Sequence, residues 1–388
     1  MKIVRKILKY FFLLLIIFIA YPYLISPIYK FPEASVFSGD KIYDPYSGMD
    51  STHWHKANFH AHTRLLYGLT DGRKSLTDSL INTYEKFGYD IIGISDYMYI
   101  NPKSAVPLYE HGYGLNKTHY LILGDDKVNW FDILFIQNIH NKQFAINMLK
   151  THENILTIAH PSMQMSFKPQ DFRYITNYDL IEILRFDRVM TEYLDTALST
   201  GHKTFLQADD DIHDITNSRE VAHCYTIINC DTLSPKSILA SLKSGKSYGV
   251  RTIGEYQNFE EKIADVKNIP RVNNISLAGI KISLRLNTHA NDIKFIGQGG
   301  EIKKTISDST HAEYDFKPED TYIRAEISFD KVKFYMNPFF RYNGSLENKK
   351  AEIDFWKTFF YRAFILLAIG FTVFVIYRRK RKIDKRLI

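Results

Sequence analysis

Hydrophobic and polar positions along this 388-residue chain fall into distinct regimes. Near the start, "YFFLLLIIFIAYPYLISP" (10–27) is apolar on every face and uncharged, close to the length that crosses a bilayer. Between 57 and about 250, short apolar runs alternate with amphipathic stretches. "ANFHAHT" reads as a short strand. "KSLTDSLINTYEKFGYD" follows as a helix, with Leu76, Leu80, Ile81, Tyr84 and Phe87 at helical spacing and Gly88 as its stop. "IIGISD", "YLILGDD", "ILTIAHP", "YDLIEIL" and "TFLQADDDIHD" read as strands, and "KQFAINMLKTHE", "VMTEYLDTALSTG" and "PKSILASLKSGKSY" as helices. Repeated strand-then-helix units predict an α/β fold with a parallel sheet or barrel.

From about 270 the helical period disappears. "ISLAGIKISLRLNT", "DIKFIGQGG", "EIKKTIS" and "TYIRAEISF" predict a small antiparallel β domain over 270–345, with 255–271 as the linker. "FWKTFFYRAFILLAIGFTVFVIY" (355–377) is a second apolar span, with aromatic residues at both edges. The basic tail "RRKRK" begins at 378 and runs into the last residues, to 388.

Charge sharpens this picture. The chain carries +7, but residues 1–30 hold +5 and residues 378–388 hold +6, so the stretch between is about −4. The basicity belongs to the ends, and nucleic-acid binding is not expected. Lys/Arg-rich flanks stay on the cytoplasmic side of a span. The expectation is therefore a protein held in the cytoplasmic membrane by two helices, with both termini inside and residues of about 31–352 outside. No A-x-A-like site follows residue 27, so the first span reads as an uncleaved anchor. Cys224 and Cys230 are open to two readings, a disulfide or two buried thiols; their spacing is not that of a zinc ribbon.

The residues with metal-ligand chemistry collect at the ends of the predicted strands. His60 and His62 alternate along one strand and so point the same way. Asp71 follows in "LTDGR", Asp96 ends "ISD", Asp125 and Asp126 end "ILGDD", and His160 ends "IAH". Asp209, Asp210, Asp211 and His213 close "QADDDIHD". In a β/α barrel such ends open onto one face, where sites form. Nitrogen and oxygen donors without thiolate suit Zn, Mn or Fe.

The ordered set "HAHT", "TDG", "FGYDIIGISD", "LGDD", "IAHP" and "DDDIHD" resembles the PHP (polymerase and histidinol phosphatase) superfamily over roughly 57–250. The resemblance implies a distorted seven-stranded, TIM-like β/α barrel spanning 53–254. It also implies metal-dependent hydrolysis of phosphoester bonds by a hydroxide formed near neutral pH on a divalent cation. It assigns His60, His62, Asp71, Asp126 (or Asp125), His160, Asp211 and His213 as metal ligands. The family usually has a histidine ligand where this chain has Tyr97, which could coordinate as phenolate or hydrogen-bond a substrate oxygen. No histidine between "GDD" and "AHP" takes the family's place there: His140 and His152 read as surface residues. One or two cations, rather than three, are then expected. His213 or His160 would protonate the leaving oxygen, and Arg64 and Arg73 could contact the phosphate. The competing reading is a membrane-anchored module that keeps the fold and binds a ligand without turnover.

Overall fold

The structure is a computed structural model that describes residues 2–65, 72, 74–256, 258–346 and 348–384. The expected Asp71 and Arg73 lie outside the described residues.

The strand-then-helix reading holds through the central region, and most of its elements form where the periodicity puts them. Thr77–Lys86 is helical and ends at Phe87, followed by Gly88 at φ 76°. Ile139–Leu149 is capped by Asn138, whose side chain accepts from the backbone of His140 and Asn141. Thr191–Ser199 and Pro235–Ser244 complete the helices of this region. The stretch expected as a linker contains a further helix, Phe259–Lys267, capped by Asn258 and burying Lys262 and Val266.

Among the described residues the closed seven-stranded barrel does not form. The strands of the central region divide between two sheets. One runs in the order Phe205–Ala208, Leu180–Arg185, Ile155–Ile158, Tyr120–Leu123, Leu108–His111. The other runs Val272–Ala278, Lys281–Ile296, Tyr322–Ser328, Val332–Met336, Ser247–Thr252, Cys224–Asn229, Trp54–Asn58, Ile91–Ile92. The reason is an occupied edge. Cys224–Asn229 pairs antiparallel with Trp54–Asn58 and takes the hydrogen-bonding edge that closure onto Phe205–Ala208 would need. The sheets pack on one another, with Ala208 N–H donating to Thr226 Oγ1, and isolated bridges join Ala61 to Ile212 and Tyr97 to Glu110.

One reversal matters for the site. Tyr120–Leu123 runs antiparallel to both neighbours, Ile155–Ile158 and Leu108–His111. Its end therefore points away from the end of Ile155–Ile158, and its beginning lies beside it: Tyr120 pairs with Ile158.

The strands from 272 onward extend the second sheet, because Val332–Met336 pairs with Ser247–Thr252. Their apolar side chains, such as Ile293, Phe295 and Phe334, share a core with Leu80, Tyr84 and Tyr225 of the central region. The buried Arg324 guanidinium holds both carboxylate oxygens of Asp195, at 2.7 and 2.8 Å, across that join. Cys224 and Cys230 are buried free thiols.

Two helices were expected to be membrane spans, and one meets the length and composition. Phe355–Arg378, within the helix Phe355–Asp384, leaves its large apolar side chains mostly exposed. The helix Lys2–Ile25 carries Lys6 and Lys9 inside it and ends at Ile25. Its uncharged part thus spans 10–25, about 24 Å at 1.5 Å per residue, shorter than a bilayer core of about 30 Å.

Candidate metal centre

The Trp54–Asn58 strand hands the chain to His60 and His62, which are fixed by backbone bonds to the facing segment. His62 N–H donates to the Ile212 carbonyl and Asp211 N–H to the His60 carbonyl, both at 3.0 Å. Asp96 anchors the next residue, accepting from Thr63 N–H at 2.6 Å and from the Thr63 hydroxyl at 2.7 Å. Gly72 packs so closely on this turn that a Cβ there would lie 2.6 Å from the Thr63 carbonyl oxygen, and its φ of +86° is one only glycine adopts readily.

Six buried side chains converge beside this turn: His60, His62, Glu110, His119, His160 and Asp211, none more than 2 % exposed. His213 lies at their edge, with a quarter of its side chain exposed. They form four overlapping groups: His60, His62 and Glu110; His60, His160 and Asp211; His62, Asp211 and His213; Glu110, His119 and His160. Within each group the ligand atoms lie within 4.8 Å of one another. Glu110 and Asp211 each belong to two groups. His62 Nε2 is 3.1 Å from Glu110 Oε2 and 3.3 Å from Asp211 Oδ1, and His60 Nε2 is 3.2 Å from Asp211 Oδ1. His160 and Asp211 sit at φ 25° and 52°, conformations non-glycine residues rarely adopt and that concentrate at functional sites.

The donor atoms fit a cation. His60 Nε2, His62 Nε2, Glu110 Oε2 and Asp211 Oδ1 are buried without a hydrogen-bond partner, although they face one another. Leaving such atoms unsatisfied is costly, and native interiors rarely do it. Cations held by the overlapping groups would satisfy them. The same residues are oriented from behind. His60 Nδ1–H donates to Glu182 Oε1 at 2.8 Å, and the other Glu182 oxygen accepts the His160 backbone N–H at 2.6 Å. Arg185 Nε–H donates to Asp211 Oδ2 at 2.6 Å, leaving Oδ1 toward the histidines. Such outer partners fix the tautomer and aim of metal ligands.

Burial opposes charge on Glu110, Asp211, His60 and His62, yet charge pairing outweighs it there. Facing imidazoles hold Glu110 and Asp211 well below the usual carboxylate range. Facing carboxylates hold His60 well above the usual imidazole range and push His62 up to about 9. His119, where burial dominates, is lowered.

The sequence-named residues divide accordingly. The structure brings together His60, His62, His160, Asp211 and His213. It does not bring in Asp126, which is exposed, or Asp125, whose carboxylate accepts from Asn154 Nδ2 at 2.8 Å. Both follow the reversed strand and so lie at the far end of the sheet. Asp209 and Asp210 face inward on other business: Asp209 accepts Phe59 N–H, and Asp210 accepts three backbone N–H groups from 222–224 and the Tyr84 hydroxyl. The Tyr97 ring stacks on His62, centroids 4.4 Å apart, and meets His119 edge-on at 5.5 Å. Arg64 is exposed beside this turn.

Four contributors escaped the sequence reading: Glu110, His119, Glu182 and Arg185. The first two had a readable signal. "LYEHGYGLNKTHYLIL" is a hairpin pattern with glycines in its turn, and pairing its arms places Glu110 beside His119. In the structure His119 Nδ1–H donates to Glu110 Oε1 at 2.6 Å.

No protein-family model matches the chain, and no curated protein does. Among solved structures, the chain is similar to a two-domain protein from Bacteroides vulgatus containing a predicted PHP-like metal-dependent phosphoesterase. The identity is 12 %, the TM-score 0.41, and the match covers 79 % of this chain and 99 % of that one. A likeness this distant carries no argument about the site.

Proposed function

We propose that this chain is a metal-dependent hydrolase of phosphoester bonds. The observation that carries the reading is the buried cluster in which orphaned imidazole and carboxylate atoms share Glu110 and Asp211. The residues that would hold the cations are His60, His62, Glu110, His119, His160, Asp211 and His213. Overlap of the groups through two carboxylates favours more than one ion, and the all-nitrogen-and-oxygen donor set favours Zn, Mn or Fe. A bound divalent cation lowers the pKa of water and offsets charge on phosphoryl oxygens. The phosphoester class comes from the motif resemblance, now with Glu110 and His119 in place of Asp126 and Asp125.

The side chains around the centre supply the rest. His213 donates Nδ1–H to the Asp211 carbonyl at 2.8 Å, so Nε2 is the nitrogen that would ligate or hand a proton to the leaving oxygen. Arg185 holds Asp211 and lies at the end of its strand. Lys117 reaches over the Tyr97 ring, 5.7 Å from its centroid, and would offer its positive charge to a phosphate. The C-terminal helix Phe355–Arg378 supports membrane attachment, with the basic tail beyond it on the cytoplasmic side. The test is metal analysis of the purified chain followed by release of p-nitrophenol from its phosphate mono- and diesters with added Mn or Zn. A chain without metal, in which His60→Ala changes nothing, overturns the reading.

A further inference from the structure

The turn that joins Glu110 to His119 has two sides. At its feet stand two residues of the metal centre. At its tip, Tyr113 and Leu115 are 39 % and 63 % exposed. A span of three residues is at most about 10 Å, so exposed apolar surface begins within that distance of Glu110. The tip is strapped to a second apolar loop. Leu115 N–H donates to the Leu134 carbonyl at 2.8 Å, and Asp132 accepts from the N–H groups of Tyr113 and Gly114 at 2.8 and 3.0 Å. That second loop exposes Trp130 (67 %), Phe135 and Ile136 (77 %). Five large apolar side chains on two braced loops form a patch of the kind that marks a binding surface.

The patch is continuous with the apolar helices. Phe135 N–H donates to the Tyr23 hydroxyl at 2.9 Å. An open cleft between the loops and the first helix is lined by Leu14, Ile17 and Phe18 on one side and Tyr113, Trp130 and Leu134 on the other. Leu14 lies about 16 Å up that helix from Ile25 at 1.5 Å per residue. The C-terminal helix starts from the same place, where Arg362 donates to the Ile25 carbonyl at 2.6 Å. The occupant of the patch must therefore also cover two exposed apolar helices, one of which is long enough to span a bilayer. A lipid bilayer does both. Exposed Trp and Tyr at its edge suit the headgroup region.

We infer that the metal centre opens at the lipid–water boundary and that its substrate is a phosphoester carried on a lipid. This rests on the hydrolase reading and names its substrate class. The polar head would enter beside Lys117 while the acyl chains remain in the bilayer beside Leu115 and Ile136. In the reaction the oxygen of water bonds to phosphorus, the ester P–O bond breaks, and the lipid alcohol leaves with a proton.

The experiment uses the full chain in bilayer nanodiscs with added Mn or Zn. Its probes are dipalmitoyl phosphatidic acid and phosphatidylglycerol in the bilayer, and p-nitrophenyl phosphate mono- and diesters in the water. The expected result is hydrolysis of at least one lipid. Leu115→Glu with Ile136→Glu should cut its kcat/KM roughly tenfold or more, since each replaces an aliphatic side chain that the bilayer would cover with a charge. The p-nitrophenyl ester should stay within about twofold under the same change, the resolution of a mutational comparison. Brominated phospholipid should quench Trp130 in a Trp54→Phe, Trp356→Phe background. Hydrolysis of the p-nitrophenyl esters with neither lipid consumed overturns the lipid substrate and leaves the hydrolase standing. An equal loss on both substrate types, or an unquenched Trp130, overturns the membrane-facing opening. No metal-dependent turnover of any probe overturns the hydrolase reading itself.

Discussion

Replacing Glu182 by glutamine would test whether the cluster is built to hold cations. The two side chains match in size, and Glu182 is fully buried, so packing is preserved. The carboxylate accepts twice: from His60 Nδ1–H at 2.8 Å and from the His160 backbone N–H at 2.6 Å. An amide accepts with its oxygen alone. If that oxygen keeps the His160 bond, the amide NH2 faces His60 Nδ1, which must give up its proton. The proton then sits on Nε2, the atom aimed at the cluster. If the oxygen keeps His60 instead, the NH2 opposes a backbone N–H at 2.6 Å. Either way one charge-assisted hydrogen bond is lost, worth about 1.5–3 kcal/mol. That converts to roughly ten- to a hundredfold weaker metal binding, the range typical of such outer partners. Competition with a fluorescent chelator for Zn or Mn, on the folded chain, reads it directly. Unchanged affinity would show that His60 is not oriented for a cation, and the argument from orphaned atoms would fail with it.

Other outcomes follow from the same geometry. Glu110→Gln should abolish tight metal binding, whereas Asp126→Asn, at the exposed far end of the sheet, should leave it within about twofold, the scatter of neutral surface changes; metal titration of both variants checks the pair. Tyr97→Phe keeps the ring stacked on His62 and should retain metal affinity; a large loss would mean the phenol oxygen ligates. Burial pushes Lys262 down to about 8, against an ordinary value of 10.5, despite the nearby Asp210 carboxylate. Its folded pKa lies below its unfolded one, so the unfolded chain binds more protons between pH 8 and 10.5 and stability rises with pH across that window, by up to about 3 kcal/mol. Lys56, also lowered to about 8, adds a rise of the same sign. Lys262→Met should therefore flatten roughly half of the gain in melting temperature between pH 8 and 10; an unaltered slope refutes it. Asn337 is fully buried, accepts Leu206 N–H and donates to the Gly245 and Ser247 carbonyls. Asn337→Ala leaves those groups unpaired and should cost about 2–4 kcal/mol, seen as a lowered thermal midpoint.

The parts of the fold that were legible in the sequence are those set by local period. The helix at Thr77–Lys86 and the strand ends at His60, His62, His160 and Asp211 follow from patterns within a dozen residues. The direction of a strand is not local information. "YLILGDD" reads equally well either way round, and assuming it parallel put Asp125 and Asp126 at the site. Its reversal puts His119 there instead, and the hairpin partner brings Glu110. Barrel closure failed for a similar reason, since competition by Cys224–Asn229 for the edge of Trp54–Asn58 is a pairing between segments about 170 residues apart. Glu182 and Arg185 lay inside "LIEILR", where a strand reading treats charged residues as pattern noise; only the facing His60 and Asp211 give them meaning.

The most direct test of the central claim is hydrolysis of p-nitrophenyl phosphate by the full chain as Mn or Zn is titrated in, compared with the Glu110→Gln variant. The account predicts turnover that saturates with metal and falls by about a hundredfold or more in the variant, the loss expected when a buried group shared by the cations is removed. Turnover without metal dependence, or equal in both proteins, would contradict it.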